Sequence, residues 1–197
     1  MELSPAAQAE PTEARIRRVA AELFYERGYH ATTMRDIAAG VGIKAGSLYN
    51  HYPGKQSILF GICLSTVREL HDGLVSRLAS VEDVEERVRT FVTWHVDFHT
   101  RNRHVARVAD GQLHALDPDH RHDVIAVRDA YEGLLREMLE QGARVAGWRA
   151  ANLRVIVMAI TAMCTEVDTW YRDDGSLTPG EIGDIYAGFI LNGLRIA

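Results

Sequence analysis

Apolar side chains recur along this chain at intervals of three and four residues almost from end to end, without sustained alternation. Ile16, Val19, Ala20, Leu23 and Phe24 form one such stripe. A period near 3.6 puts them on one face of a helix, whereas a half-buried strand needs period 2. No Asn-Gly or Asp-Gly turn stands between two β-branched runs, so no hairpin is signalled. The chain is therefore expected to be all-α, with about nine helices. At 47% hydrophobic and 25% charged over 197 residues, it can bury an ordinary core.

Local signals divide the helices. Gly28 stands just past the last periodic residue of the first, where a stop belongs. Thr33, followed by Asp36, reads as a capping box that starts the second. A long helix is expected from about Lys55 into the high seventies, carrying Ile58, Leu59, Ile62, Val67, Leu70 and Leu74. Another spans Val84 to Arg101, and a shorter, less regular one Asn102 to Leu116. Asp117-Pro118 supplies an N-cap and a first-turn proline for a helix running to Gln141-Gly142. Ala150 to Tyr171 reads as one long apolar helix that RDDGS breaks. Thr178, Pro179 and Glu181 then give a cap, a first-turn proline and a capping-box partner for the last helix.

The expected organisation is a flexible N-terminus over 1–12, a small helical domain over 13–56 and a larger one over 57–197. The opening MELSPAAQAEPTEA has no basic or apolar region of the kind a secretory leader needs. No apolar run reaches the ~18 residues that span a bilayer. A cytoplasmic protein without a membrane partner is expected. Cys63 and Cys164 stand alone in apolar surroundings and read as buried, reduced thiols.

The stretch TMRDIAAGVGIKAGSLYNHYPGK, Thr33 to Lys55, has the form of a helix-turn-helix. Ile37, Ala38, Val41, Ile43 and Leu48 can clamp its helices to the first one, and Gly42 permits the left-handed turn. Small residues, Ala45, Gly46 and Ser47, open the second helix and let its end approach base edges. Tyr49 and His51 offer a hydroxyl and an imidazole for phosphate or base contact. Lys55 stands at the next helix N-terminus, where the helix dipole and an ammonium both favour a phosphate. The chain carries a net charge of −5, but between 27 and 55 four basic residues face the single acid Asp36. A locally basic face on an acidic body still attracts DNA.

At these residues the chain resembles the TetR family of bacterial transcriptional regulators. The likeness covers roughly residues 13–60, and its most specific part is Leu48-Tyr49-Asn50-His51-Tyr52-Pro53-Gly54-Lys55 after Thr33 and Ile37-Ala38. By position, the resemblance implies that Thr33 and Lys55 bind phosphates, and that Lys44, Ala45, Gly46, Ser47, Tyr49 and Asn50 meet bases or backbone. Three departures stand out. Lys44 takes a place that often holds Ser or Thr, Tyr52 replaces a usual Phe, and Gly40 falls late in its helix. The ending WYRDDGSLTPGEIGDIYAGFILNGL resembles a subset of the family that senses acyl-CoA thioesters.

The resemblance also implies a helical body that dimerises and binds an effector. The last helix presents Ile182, Ile185, Tyr186, Phe189, Ile190 and Leu194, and the preceding one is apolar nearly all round. A helix apolar on every side must be covered on every side, so the last two helices are expected to form a homodimer interface. Trp94, His95 and Phe98 on one helix, with Tyr131, Leu135 and Met138 on another, have the composition of an effector pocket. Arg101, Arg103, Arg107, Arg128 and Arg149 are candidates for CoA phosphates or for solvated surface. His95 and His99 share a helix face, but no third ligand is fixed by spacing; no metal or cofactor is expected. The chain is read as a dimeric regulator and not an enzyme. Most directly it is a repressor released from palindromic double-stranded operator DNA by an apolar or acyl-CoA-type effector. A helical-bundle enzyme or binding module acting on a thioester or lipid-like ligand is the alternative, although no nucleophile elbow or phosphate loop is present.

Overall fold

The computed structural model describes residues 10–149 and 152–195; the lead-in expected over 1–12 lies largely outside them. Ten α-helices follow one another among the described residues: α1 (Thr12–Arg27), α2 (Met34–Val41), α3 (Ala45–His51), α4 (Lys55–Leu78), α5 (Val84–Arg101), α6 (Arg103–Gly111), α7 (Pro118–Val145), α8 (Leu153–Thr165), α9 (Val167–Trp170) and α10 (Pro179–Arg195). A single 3-10 turn, Leu113–Ala115, joins α6 to α7. No described residue is in a strand.

The start signals act as their chemistry dictates. Asp117 accepts a hydrogen bond from the His120 amide at 3.0 Å. At α10 the Thr178 amide and hydroxyl both donate to Glu181 Oε2 at 2.8 Å, and the Glu181 amide donates back to the Thr178 hydroxyl. These bonds satisfy amides that a helix N-terminus leaves without partners.

Two expectations about helix ends are corrected. α7 continues past Gly142 to Val145, because Gly142 is a packing site and not a stop. A Cβ there would stand 1.9 Å from Trp148 Cε3, so the missing side chain lets the Trp148 ring lie on the helix. The apolar run from Ala150 to Tyr171 is two helices, not one. Ala150 and Ala151 lie outside the described residues, Asn152 caps α8, and the chain re-aims at Glu166 so that Val167 enters the core. Arg107 reaches Asp168 at 3.2 Å and Arg103 donates to the Tyr171 carbonyl at 2.9 Å, which fastens this second piece to α6.

Two apolar cores result. The first joins α1–α3 to the first half of α4 (Ile58, Leu59, Ile62, Cys63, Val67) and to Val108 and Ala109 of α6. The second joins the far half of α4 (Leu70, Leu74, Leu78) to α5, α7, α8 and α10. The boundary expected at 56/57 thus falls at the start of a helix that belongs to both. Inside the second core α10 lies tightly along α5, where Gly183 brings the two backbones together; a Cβ there would stand 2.9 Å from Thr93 Cα.

Candidate nucleic-acid interface and effector cavity

The recognition unit is assembled by three local devices. The Thr33 hydroxyl accepts the Asp36 amide at 3.2 Å, while the Thr33 amide and hydroxyl donate to the Asp36 carboxylate at 2.8 and 2.6 Å. These bonds hold the Asp36 carboxyl below its ordinary pKa. Gly42 then adopts φ 76° and ψ 30°. Its amide donates to the Ala39 carbonyl at 3.1 Å and the Ile43 amide to Ala38 at 3.0 Å. Together these form the paired closing bonds of a Schellman turn. Gly40 completes the fit, since a Cβ there would lie 2.7 Å from Val19 Cγ1 on α1. The late glycine is a close approach between helices.

α3 buries only Leu48. Lys44, Gly46, Ser47, Asn50 and His51 are exposed, Tyr49 is 53% exposed, and Ala45 is half-buried. The residues expected to read DNA are therefore left uncovered on α3, and Thr33 at the start of α2 is exposed as well. Lys44 is the N-cap by its backbone alone: its carbonyl accepts the Ser47 and Leu48 amides, and its side chain makes no capping bond. Tyr52 turns the other way, buried, its hydroxyl accepting from Arg17 at 3.0 Å.

Lys55 is placed differently from a freely presented ammonium. Its Nζ donates to the carbonyls of Tyr29, His30 and Thr32 at 2.5, 3.2 and 2.7 Å and lies 4.5 Å from the Tyr29 ring centre. An ammonium has three donors, and all three are taken. Partial burial lowers its pKa. Next to Thr33, the buried Thr32 donates to the Leu23 and Gly28 carbonyls, so the α1–α2 turn is tied from both sides.

A cavity of about 380 Å³ opens among α4, α5, α6, α7 and α8. Of the residues expected to line an effector site, His95, Phe98 and Tyr131 do so. Leu135 and Met138 are in the closed core. Trp94 points elsewhere: its Nε1 donates to the Leu70 carbonyl at 2.8 Å and Arg77 stacks on its ring. The walls missed by sequence come from other helices, among them Thr66 and Leu70 of α4, Ala106 and Asp110 of α6, and Thr161 and Thr165 of α8, while Arg128 of α7 joins them. Only for Arg128 was there a signal, as one of several candidate arginines. It is held by Asp110 at 2.7 Å and the Ala109 carbonyl at 3.1 Å.

His95 is buried, its Nδ1 3.1 Å from the Tyr131 hydroxyl and its Nε2 3.0 Å from the Thr165 hydroxyl. His99 stacks on it, ring centres 4.6 Å apart, and its Nδ1 is buried without a partner among the described residues. Burial pushes the pKa of both imidazoles down, so both are neutral. The same burial raises the Cys63 and Cys164 thiols to about 12. Among the described residues no group of three or more His, Cys, Asp or Glu is arranged around a metal.

The sequence of the reading head matches the profile of bacterial regulatory proteins of the tetR family over residues 16–62. The body matches the tetracyclin repressor-like C-terminal domain over residues 81–194, more than half of the chain. The chain belongs to the TetR family. The stretch between the two matches lies within α4 and its exit, and holds the cavity residues Thr66, Val67 and Leu70. A curated TetR-family relative, the HTH-type transcriptional repressor KstR2 of Mycobacterium tuberculosis, is 30% identical over 96% of each chain. A TetR-family regulatory protein from Rhodococcus RHA1 superposes with a TM-score of 0.88 at 28% identity, covering 95% of this chain and 99% of that one. AibR, solved in complex with isovaleryl coenzyme A and operator DNA, superposes at 0.80 with 25% identity, covering 91% and 97%.

Proposed function

We propose that this chain is a homodimeric repressor that holds a palindromic operator through α3 and leaves it when an apolar or acyl-CoA-type effector enters the cavity. The observation that carries this reading is the exposed α3 surface, in which only Leu48 turns inward, on a unit clamped by Thr33, Gly42 and Lys55. Tyr49, Asn50, Ser47 and Lys44 face the groove, with Ala45 and Gly46 giving clearance and Thr33 and His51 at the flanks. Lys55 supports this surface from behind by fixing the turn that presents Thr33.

One copy has a slight basic excess, so tight binding calls for two copies spaced ~34–36 Å apart, one turn of B-DNA. The apolar surfaces of α8 and α10 suit that pairing, since Val155, Met158, Ile185 and Phe189 are 59%, 55%, 56% and 72% exposed in the single chain. Burying a side chain of this size contributes roughly 1.5–3 kcal/mol.

The route from cavity to DNA runs through α6. Its inner face lines the cavity with Ala106, Ala109 and Asp110. Cys63 of α4 donates to the Ala109 carbonyl at 3.7 Å, and Tyr25 of α1 stacks on His104 at 4.2 Å. A ligand that displaces α6 therefore moves α1 and α4 with it, and so the distance between the two α3 helices. No turnover is assigned to the cavity. None of the described helices is long and apolar enough to cross a membrane, and a cytoplasmic location fits the reading.

The test is a gel shift on the DNA upstream of the gene, comparing the native chain with Tyr49→Ala. Loss of binding at unchanged melting temperature is expected; undiminished binding sinks the interface assignment. Mass spectrometry of the co-purifying small molecule, followed by operator release with that compound, tests the effector.

A further inference from the structure

The charge around the cavity limits what can enter it. Among the described residues Arg128 is the only lysine or arginine on its wall, and Asp110 holds it at 2.7 Å. Two further carboxylates, the half-buried Glu132 and the exposed Glu166, also line it. The remaining basic groups, His95 and His99, are 3% and 4% exposed and neutral. An anion taken inside would leave water and meet three carboxylates against one guanidinium, whose Nη2 is already held by Asp110 and the Ala109 carbonyl. Stripping a charge of water without a partner is far costlier than burying a hydrogen-bonded neutral group. The wall does offer neutral polar contacts: Thr66, Thr161 and Thr165 line it with hydroxyl-bearing side chains.

We propose that the cavity admits an uncharged apolar molecule, or the uncharged end of one, that carries a hydrogen-bonding group, and that it rejects the same skeleton bearing a carboxylate or sulfonate. For an acid-derived effector, the esterified or otherwise neutral form is sensed and the free acid is not. This rests on the effector reading above and sharpens it to a rule about charge.

Two dyes sharing one skeleton test it on the full chain: N-phenyl-1-naphthylamine, which is neutral, and 8-anilinonaphthalene-1-sulfonate. Both fluoresce when they leave water. Thr161→Trp, with Ala162→Phe as a second filler should the first fail to fold by circular dichroism, blocks the cavity and isolates the signal that arises there. The neutral dye is expected to bind at least about tenfold more tightly than the sulfonate. Glu132→Gln with Glu166→Gln should narrow that gap. Equal or tighter cavity binding by the sulfonate overturns the charge rule and leaves the effector site standing. If a folded filler variant changes neither dye's signal, the cavity is not a ligand site and the effector reading falls with the rule.

Discussion

Lys55 spends its three N–H donors on the carbonyls of Tyr29, His30 and Thr32, whereas Lys44 stands exposed at the start of α3. The two lysines are therefore separable by salt. Each phosphate contact adds roughly 0.9 to the slope of log K against log salt concentration. Lys44→Met should lower the slope by about one per subunit and leave the melting temperature unchanged. Lys55→Met should leave the slope intact but destabilise the fold by about 1–3 kcal/mol, because three carbonyls lose a partner. Fluorescence anisotropy on one operator over a salt series, with melting curves, checks both. Sequence placed both lysines beside DNA, since position and charge are local facts. It could not show that one ammonium folds back, because its partners lie 23 to 26 residues upstream.

Helices α5 and α10 show what elements add to residues. Gly183→Ala puts a methyl group 2.9 Å from Thr93 Cα, against backbone that cannot rotate away. A loss of about 1–3 kcal/mol is expected, read as a lowered urea midpoint. Along α5, His95 and His99 are neutral in the fold because burial lowers their pKa from 6.5. The unfolded histidines take up protons near 6.5 while the folded ones do not, so the unfolded state gains protons as pH falls. Their contribution is fully present above pH 6.5 and lost below it. The melting temperature should drop between about pH 7 and about pH 5, and more gently in His99→Gln. Helix starts were legible at Thr33, Asp117 and Thr178 because a cap and its partner sit within one turn. The end of α7 was not, because a glycine that stops a helix and one that seats a distant ring look alike in sequence. Trp148 decided it.

At the scale of the molecule, Phe189 is the side chain whose exposure least suits a solitary chain, at 72%. Phe189→Glu is expected to give monomers by light scattering. Operator affinity should fall at least about a hundredfold, since the second half-site no longer adds avidity. Retained dimers would move the interface away from α10. The α8 surface argues the same way: its apolar circumference was plain in sequence, but the side left uncovered became known only when α5 and α7 had taken theirs.

The sequence by itself determined the helical class, most helix starts and the reading head, because periodicity, caps and the Gly42 turn act over a few residues. The tertiary structure alone decided the cavity and the working assignment of single residues. Five helices contribute to that wall, so Trp94 and Met138 leave it while Thr66, Asp110 and Arg128 enter it. Burial then sets the protonation of His95 and His99, and no local pattern encodes burial. The physical reason is range: hydrogen bonds that start and stop helices are near in sequence, whereas the packing that shapes a pocket joins residues far apart.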